Sequence, residues 1–412
     1  TGGYKVLKLQ KEEMEAKIGA RVELKKILVR NLQKAAQKVD DPSVLTNDVQ
    51  EILDDPEIEI VIEVMGGIQP ALSYMLEALN AGKSVVTANK DVVASEGKKL
   101  LEAAKVNGRD FLYEASVAGG IPIVRPMKQC LAGNHITEVV GIFNGTTNFI
   151  LTKMSKEGME FEEALQLAQD LGYAESDPTS DIEGLDAGRK VAILASAAFN
   201  SRVVFENVYT EGIARITAKD IQYAKEMGCE IKLLGMARLT AEGIEARVHP
   251  MLINKDHPLA SVQDSYNAVF VRGDAVQDTM FYGRGAGELP TASAVVGDVF
   301  DCVRNILADC CGRIGCTCYK DLPIRKISQI KSKYFVRMEV EDRPGVLASV
   351  TAVFGNNSVS IAQFIQKEKK GELAEIVVIT EKVQERHFMD AIRILEGMSI
   401  IREISSLIRV YG

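Results

Sequence analysis

Short apolar strands alternate with helical segments over the first 120 or so residues, and this alternation limits the possible folds more than any other feature. The sequence predicts strands at residues 22–29, 58–64, 84–87 and 110–113, with helices at 4–19, 45–53, 71–81 and 95–106. Strands separated by helices run parallel, because a parallel pair needs a long crossover connection. The pattern therefore predicts a doubly wound α/β, Rossmann-like domain over residues 1–119, the kind of scaffold that commonly binds a dinucleotide.

The glycine-rich loop typical of that scaffold is not found in this sequence. Such a domain normally opens with a strand and G-x-G-x-x-G, whose backbone amides hold a pyrophosphate at a helix N-terminus. Thr1-Gly2-Gly3 looks like the end of such a loop, so we expect its strand to lie upstream of Thr1. The alternative is an α/β domain that binds no dinucleotide.

The pattern changes twice after residue 119. Residues 120–288 mix long amphipathic helices with strands and predict a mixed-sheet substrate-binding and dimerisation domain. A helix at 289–309 is expected to return to the first domain, and residues 310–332 read as a linker. Residues 333–412 predict a ferredoxin-like βαββαβ unit, with strands near 334–340, 358–366, 372–380 and 400–410 and helices near 345–354 and 383–395.

Composition excludes several classes of function. The net charge of -8 and a pI near 5.4 argue against binding to nucleic acid or an anionic membrane surface. No apolar run approaches the roughly 20 residues that span a bilayer, and the N-terminus lacks the pattern of a secretory signal. The sequence therefore predicts a cytoplasmic protein without membrane or nucleic-acid partners.

Seven cysteines occur, five of them between Cys302 and Cys318. An odd number in a chain without a secretory signal favours reduced thiols. The spacing lacks the Cys-x2-Cys pairs of structural zinc sites, and no histidine lies nearby. Free thiols are the first interpretation, and a zinc site or a redox-sensitive disulfide remains the alternative.

The segment Glu175-Ser-Asp-Pro-Thr-Ser-Asp181-Ile-Glu-Gly-Leu-Asp186-Ala-Gly-Arg-Lys190 is the richest in ionisable groups. Asp186 and Lys190 are four residues apart and so share one helical face. An exposed ion pair of this kind contributes only tenths of a kcal/mol. However, apolar residues follow directly, and a lysine entering a buried helix beside carboxylates is suited to proton transfer.

Three further blocks accompany this segment, namely Thr87-Ala-Asn-Lys90, Glu114-Ala-Ser-Val-Ala-Gly-Gly-Ile-Pro122 and Asn144-Gly-Thr-Thr-Asn-Phe-Ile-Leu151. Together the four blocks resemble the signatures of homoserine dehydrogenases in their order, and the resemblance covers about residues 1–325. The resemblance implies reversible hydride transfer between NADP(H) and the L-homoserine/L-aspartate 4-semialdehyde pair, a step of threonine and methionine biosynthesis.

The resemblance also implies roles for particular residues. Lys190 would be the general acid/base, and Asp186 would bind substrate and orient Lys190. Glu175 would bind the substrate ammonium group, with Asp181 nearby. Lys90 would lie close to both nicotinamide and substrate, with a solvated loop lysine as the alternative.

The resemblance also implies a site for a monovalent cation, expected to be Na⁺, in the block that begins at Glu114. Its ligands would be Glu114 and the carbonyl groups of Val117, Gly119 and Ile121, since oxygen ligands suit a hard ion. A plain tight turn at the glycine pair is the alternative.

The cofactor contacts implied by the resemblance are Lys90, Thr87, Gly172 and Gly287. Arg30 follows the strand at 27–29, where an NAD-preferring fold commonly has an acidic residue. A guanidinium there favours the 2′-phosphate of NADP. NADP is therefore the predicted cofactor, with NAD as the alternative.

The C-terminal unit contains Glu341-Asp-Arg-Pro-Gly-Val-Leu347 between its first strand and helix. This segment resembles the loop of ACT domains that holds a small amino acid. Asp342, Gly345 and Asn357 would contact the effector, for which L-threonine is the expectation. The alternative is a module used only for dimerisation.

A feedback-regulated homodimer, or a dimer of dimers, is the expected assembly. Two other functions stay open at this point. One is a regulatory amino-acid binder without catalysis, and the other is a dehydrogenase for a different amino-acid semialdehyde.

Overall fold

The N-terminal region alternates helices with short parallel strands, as the sequence predicts. A computed structural model describes residues 2–412, except the side chains of 367–370, and Thr1 of the predicted loop remnant lies outside this range. The elements are α1 (Gly2–Leu9), α2 (Lys11–Ile18), β1 (Ile27–Leu28), α3 (Leu32–Ala36), β2 (Leu45–Thr46), α4 (Gln50–Leu53), β3 (Ile60–Glu63), α5 (Ala71–Asn80), β4 (Ser84–Thr87), α6 (Lys90–Val106) and β5 (Phe111–Leu112).

The parallel strands form two small sheets, β1–β2 and β3–β4–β5. The predicted strand at 22–29 is reduced to the two residues of β1. The predicted helix at 45–53 was wrong in its first half. There Thr46 pairs with Leu28 in β2, and its Oγ1 accepts a hydrogen bond from the Asp48 amide at 3.0 Å. Because of this turn, the helix begins only at Gln50.

The predicted helix over 4–19 is divided in two at Gln10, whose φ of -113° lies outside the helical range. The helix predicted at 95–106 starts earlier, at Lys90. Its N-cap is Asn89, whose side chain accepts the Val92 amide at 3.2 Å and so fixes where the first turn begins. Lys90 therefore occupies the first position of a helix rather than the end of a strand.

The middle region packs helices on an antiparallel sheet. Its elements are α7 (Val124–Lys128), β6 (Ile136–Ile142), α8 (Gly145–Glu157), α9 (Phe161–Asp170), α10 (Thr179–Ile182), α11 (Leu185–Phe199), β7 (Tyr209–Thr210), α12 (Ala218–Glu226), β8 (Cys229–Thr240), β9 (Gly243–Asn254), β10 (Tyr266–Gly273), β11 (Gln277–Arg284) and α13 (Glu288–Leu307). Helix α11 lies against β6, β8 and β9, with nearly all of its residues buried. Helix α13 packs back on α1 and β4 of the first region.

The C-terminal region is a βαββαβ unit with one additional short strand. Its elements are β12 (Lys331–Glu341), α14 (Val346–Asn356), β13 (Ile361–Lys370), β14 (Leu373–Thr380), β15 (Val383–Gln384), α15 (Glu385–Glu396) and β16 (Ile401–Val410). The strand order β16-β12-β14-β13 places both helices over a common core that includes Val350, Phe354 and Phe388.

One continuous sheet joins the middle and C-terminal regions, in the order β11-β10-β6-β8-β9-β16-β12-β14-β13. The joint is the parallel pair β9–β16, where Arg409 lies opposite Met251. The Tyr411 amide extends the pairing by donating to the Leu252 carbonyl at 2.8 Å. The predicted linker is also anchored, since Lys320 and Ile324 form bridges with Ser201 and Ile244.

Among the helices of residues 2–412, none combines the length and the apolar character needed to cross a lipid bilayer.

Candidate active site

Two lysines from different helices bind one buried aspartate. Asp186 lies in the first turn of α11, with a side chain 9% exposed. Lys190 donates to its Oδ2 at 2.7 Å and to the Phe143 carbonyl at 2.7 Å. Lys90, at the start of α6, places its Nζ 3.3 Å from Oδ1. The pairing expected from the four-residue spacing is therefore present, and the structure adds Lys90 on the other carboxylate oxygen.

Asn144 links a second aspartate to this cluster. As the N-cap of α8, its side-chain oxygen accepts the Thr147 amide at 2.8 Å. Its Nδ2 donates to Asp181 Oδ1 at 2.7 Å and to Asp186 Oδ2 at 3.0 Å. The sequence reasoning missed this residue as part of the site. An Asn directly before a helix start is a recognisable N-cap signal, but the contact with α11 depends on packing.

The two aspartates experience opposite electrostatic environments. Burial opposes ionisation of Asp186, but Lys190 and then Lys90 outweigh it and lower the pKa of this carboxyl to about 2. For Asp181, burial and the negative charge of Asp186 raise the pKa above its usual value. Asp186 is therefore held as a carboxylate, whereas ionised Asp181 is unfavourable in the folded chain.

Replacing Asp181 with Asn is expected to stabilise the fold near pH 7. The folded chain raises the pKa of Asp181, so folding is penalised only where this carboxyl ionises. The advantage of Asp181→Asn should be present above the folded pKa. It should disappear below the unfolded value of 3.8, where the carboxyl is protonated in both states. Melting temperatures of both proteins at pH 7 and pH 3 test this, and a lower melting temperature for the variant at pH 7 would contradict it.

Glu175 lies apart from the lysine–aspartate cluster. Its side chain is exposed, and its backbone carbonyl accepts a hydrogen bond from Gln169 at 3.1 Å. The loop that carries it is held to α8, where Thr146 Oγ1 donates to the Tyr173 carbonyl at 2.7 Å. Gly172 opens this loop after α9, with φ of +75°, a conformation that favours glycine. Gly172 and Glu175 thus belong to a loop that is attached to α8, the helix that Asn144 of the cluster caps.

The carboxyl ends of β3 and β4 meet next to Lys90. Thr87 Oγ1 donates to Glu63 Oε2 at 2.6 Å, and the Asn89 side chain donates to the Gly67 carbonyl at 2.7 Å. The loop that follows β3 exposes apolar side chains, including Val64 at 63%. Ligands of open parallel sheets bind beyond the carboxyl ends of strands. Thr87 therefore lies in the usual position for a nucleotide, although its own hydroxyl is engaged by Glu63.

The first residue of α1 lies in close contact with the backbone of the first residue of α13. A Cβ on Gly2 would lie 2.6 Å from the Glu288 carbonyl oxygen, so only glycine fits there. Gly287 is the N-cap of α13, with φ of +124°. Arg30 lies two residues beyond β1, and its side chain is exposed. Gly287 thus lies at the start of α13 beside α1, and Arg30 lies just beyond the carboxyl end of β1.

Glu114 is engaged in a way that the sequence did not predict. Its side chain, 2% exposed, accepts the backbone amides of Ile123, Val124 and Arg125 at 2.5, 2.9 and 2.7 Å. The Arg125 guanidinium lies 3.6 Å away. This carboxylate therefore caps α7 and faces an existing cation. The geometry does not fit the expectation that the Glu114 side chain is a ligand of Na⁺.

Gly119 has a steric requirement of its own. Its φ is +54°, and a Cβ would lie 2.3 Å from the carbonyl oxygen of Gly285. Val117 and Ile121 are buried on either side of this contact. The glycine pair thus makes a tight turn against the end of β11.

The residues expected to bind an effector do not all lie together. Asp342 and Gly345 precede α14, and Gly345 caps it with φ of +90°. Asn357 lies at the other end of this helix, where its side chain donates to the Val353 carbonyl at 2.8 Å. An eleven-residue helix separates the two ends by about 16 Å. Within one chain, Asn357 is therefore too far away to share a small ligand with Asp342.

Three family models match the chain in succession. The homoserine dehydrogenase NAD-binding domain matches residues 2–114, homoserine dehydrogenase matches 122–300, and the ACT domain matches 334–397. A homoserine dehydrogenase of Bacillus subtilis is 43% identical over 415 residues, covering 100% of this chain and 96% of the relative. The chain belongs to the homoserine dehydrogenase family. Members of this family are oxidoreductases acting on a CH–OH group, and this homoserine dehydrogenase carries a nicotinamide-binding domain and a C-terminal ACT domain.

Further relatives agree in sequence and in fold. A homoserine dehydrogenase of Synechocystis is 46% identical, covering 94% of this chain and 92% of its own. The crystal structure of a homoserine dehydrogenase from Thiobacillus denitrificans superimposes with a TM-score of 0.95 at 41% identity, covering 100% of this chain and 95% of its own. A hyperthermophilic archaeal homoserine dehydrogenase in complex with NADPH is 27% identical, with a TM-score of 0.56 over 71% of this chain and 82% of its own. The family membership predicted from the four sequence blocks is thus confirmed.

Proposed function

We propose that this homoserine dehydrogenase reversibly interconverts L-homoserine and L-aspartate 4-semialdehyde with NADP(H), as part of threonine and methionine biosynthesis. The observation that carries the proposal is the bridge that Asp186 makes between Lys190, at 2.7 Å, and Lys90, at 3.3 Å. Two ammonium groups are thereby held beside the carboxyl ends of the parallel strands, where an aldehyde oxygen and a nicotinamide would meet.

Lys190 is the proposed general acid/base. In the reducing direction its Nζ donates a proton to the carbonyl oxygen of the semialdehyde, and in the oxidising direction it accepts the hydroxyl proton of homoserine. The nicotinamide, when bound, accepts or delivers the hydride. Asp186 keeps Lys190 oriented through its 2.7 Å hydrogen bond. Lys90 is the second positive charge near the oxygen whose negative charge develops.

Substrate binding is proposed for Glu175, Asp181 and Asp186. Asp186 contacts Lys190, Asn144 links Asp181 to Asp186, and Glu175 is exposed on the loop after α9. An amino acid brings an ammonium group that prefers carboxylate neighbours. The raised pKa of Asp181 supports this role, since a cationic substrate would relieve the repulsion from Asp186. For the implied Na⁺, no step is proposed, because the Glu114 carboxylate is already engaged.

Contacts to the cofactor are proposed at Thr87, Lys90, Gly287, Gly172 and Arg30. Arg30 is the residue that would select NADP, because a free guanidinium can bind a 2′-phosphate. The NADPH complex of the archaeal relative supports a phosphorylated cofactor in this family.

Replacing Arg30 with Ala is expected to raise KM for NADP⁺ by about tenfold, the usual effect of losing one hydrogen bond to a charged group. KM for NAD⁺ should change little, because NAD⁺ lacks the 2′-phosphate. Arg21→Ala is the matched control, since Arg21 is also exposed, at 74%, and lies 3.6 Å from nearby Glu23. Equal losses with both cofactors would remove Arg30 from this role. Initial rates with each cofactor give the result.

L-Homoserine-dependent reduction of NADP⁺, followed by absorbance of the reduced nicotinamide, tests the function itself. Activity that L-threonine suppresses would support both the reaction and a regulatory ACT domain. Activity indifferent to L-threonine would support the reaction and argue against this effector. No activity with NADP⁺ or NAD⁺ would contradict the proposed function.

Feedback regulation by L-threonine at the ACT domain is proposed on the basis of a direct route to the active site. Arg409, on β16, donates to Glu211 Oε2 at 2.7 Å. Glu211 also contacts strand β9, on which helix α11 packs, since its amide donates to the Val248 carbonyl at 2.8 Å. The final strand of the ACT domain thus holds a residue of the catalytic region.

The route continues to the start of α11. The Ile213 amide donates to the Ile182 carbonyl at 2.9 Å. A Cβ on Gly212 would lie 2.2 Å from that same oxygen, so the two segments move together. Gly184, which caps α11, packs against the Glu211 carbonyl. A shift of β16 caused by an effector would therefore reach the helix that carries Asp186 and Lys190.

A homodimer, or a dimer of dimers, is the proposed assembly. The edge strand β11 alternates exposed and half-exposed residues, with Met280 at 39% and Tyr282 at 55%. An exposed apolar edge strand is a common site for pairing with a second copy. Light scattering of the purified chain distinguishes a monomer from these assemblies.

A further inference from the structure

A pocket opens behind the two helices that carry the lysines of the active site. It is a small cleft, with room for little more than one water molecule. Helix α6 lines it with Val93, and helix α11 lines it with Ile193 and Ser196. The third wall is the segment of residues 316–318, which belongs to neither helix. The pocket thus lies between the nucleotide-binding region and the catalytic helix.

Two cysteines of this segment face each other. Cys316 is exposed and Cys318 is half-buried. The backbone amide of Cys318 donates to Cys316 Sγ at 3.4 Å, and Cys318 Sγ lies 3.7 Å from the Ser196 carbonyl of α11. One thiol is therefore accessible to solvent, and the other contacts the helix that carries Lys190.

Positive charges surround this pair. Lys128 and Arg202 both line the pocket. Lys128 Nζ donates to the Gly315 carbonyl at 3.4 Å, beside Cys316, and Arg202 donates to the Val93 carbonyl at 3.3 Å. The neighbouring Cys318 side chain lowers the pKa of Cys316, with further lowering by the Cys318 amide, Lys128 and Arg202. The same interaction raises the pKa of Cys318. Cys316 is thus the nucleophile, and Cys318 remains a thiol.

We propose that Cys316 and Cys318 form a site of oxidation by hydroperoxides, and that the resulting disulfide lowers dehydrogenase activity. The Cys316 thiolate attacks the peroxide, which gives a sulfenic acid and, after protonation, one water or alcohol. The Cys318 thiol then attacks the sulfenic sulfur, which forms the disulfide and releases a water molecule. The two cysteines are oxidised by two electrons in total, and the hydroperoxide is reduced by the same two.

The pocket wall explains why this chemistry would reach the active site. Val93 and Ile193 each lie about one helical turn beyond Lys90 and Lys190. The disulfide draws Cys318 Sγ away from Ser196 and removes the thiolate that Lys128 and Arg202 face. Both changes act between α6 and α11, whose lysines must share Asp186. This effect on turnover rests on the proposed function, whereas the oxidation itself does not.

Treating the full chain with hydrogen peroxide, followed by peptide mass spectrometry, tests the site. In the wild type we expect a Cys316–Cys318 disulfide, with turnover that falls and is restored by dithiothreitol. In Cys318→Ser, a sulfenic acid at Cys316 should be trapped by a dione reagent at least about tenfold faster than at Cys130. Cys130 is also exposed and is the internal control. Cys316→Ser should keep its turnover in peroxide, and Cys130→Ser should not be protected.

Several outcomes would overturn the inference. Equal oxidation rates at Cys130 and Cys316 in the wild type would contradict the proposed higher reactivity of Cys316. This comparison requires no variant. A disulfide that forms without any change in turnover would contradict the link to the active site. A chain that forms the disulfide but shows no turnover before oxidation would support the oxidation site and contradict the proposed function instead.

Discussion

Lys190→Ala is expected to lower kcat by about 10² or more while leaving KM for homoserine nearly unchanged. The variant loses the Nζ that would exchange a proton with the reacting oxygen. Asp186 keeps its contacts with Lys90 at 3.3 Å and Asn144 at 3.0 Å, so substrate binding should persist. Steady-state kinetics of the wild type and the variant give the result.

Lys190→Arg separates proton transfer from charge. An arginine retains a positive group to pair with Asp186, but its guanidinium is not deprotonated in proteins and so cannot act as a base. This variant should therefore remain folded and lose turnover as severely as Lys190→Ala. Lys98→Ala is the control, because Lys98 is 70% exposed and its pair is a surface one with Glu102. A kcat near that of the wild type in Lys190→Arg would remove Lys190 from the proposed role.

Arg409→Met is expected to reduce the free energy of unfolding by about 3–5 kcal/mol, the usual loss when one partner of a buried ion pair is removed. Arg409 binds both carboxylate oxygens of Glu385, which is 5% exposed, and it also binds Glu211. Methionine fills similar space but leaves Glu385 charged and buried, with the hydroxyl of Tyr334 as its remaining side-chain partner among the described residues. Urea unfolding measures the loss.

Two comparisons make the Arg409 prediction specific. Arg393→Met removes a surface pair with Asp390 and should change stability by less than about 1 kcal/mol. The double variant Arg409→Met/Glu385→Gln should recover part of the loss, because the unpaired charge is gone. Arg409→Met should also weaken inhibition by L-threonine if β16 transmits the effector signal. A variant as stable as the wild type would contradict the buried-pair argument.

Much of the local structure follows from sequence pattern. The segments predicted at 71–81 and 84–87 are α5 and β4, and the βαββαβ order of the C-terminal region is present. Predictions were poorer where short polar contacts decide the boundary. Thr46 and Asp48 end β2, and the Asn89 cap starts α6 at Lys90. Such contacts involve one or two hydrogen bonds, which hydrophobic periodicity does not register.

In the candidate site, too, some contacts follow from sequence spacing and others depend on packing. The spacing of Asp186 and Lys190 predicts their contact, because residues four apart are neighbours on any helix. No spacing predicts that Lys90 or Asn144 reaches the same carboxylate, since both come from other helices. The position of Glu114 also depended on packing, because its carboxylate could equally have faced a cation or, as found, the first amides of α7.

By itself, the sequence determined the family, the order of the regions and the pairing of Asp186 with Lys190. These follow from residue type and local spacing, which act over one or two helical turns. Only the tertiary structure decided that Lys90 shares Asp186, that β16 extends the catalytic sheet through β9, and that Cys316 and Cys318 face Lys128 behind α11. Each of these contacts joins segments distant in the chain, so the packing of the whole core fixes them.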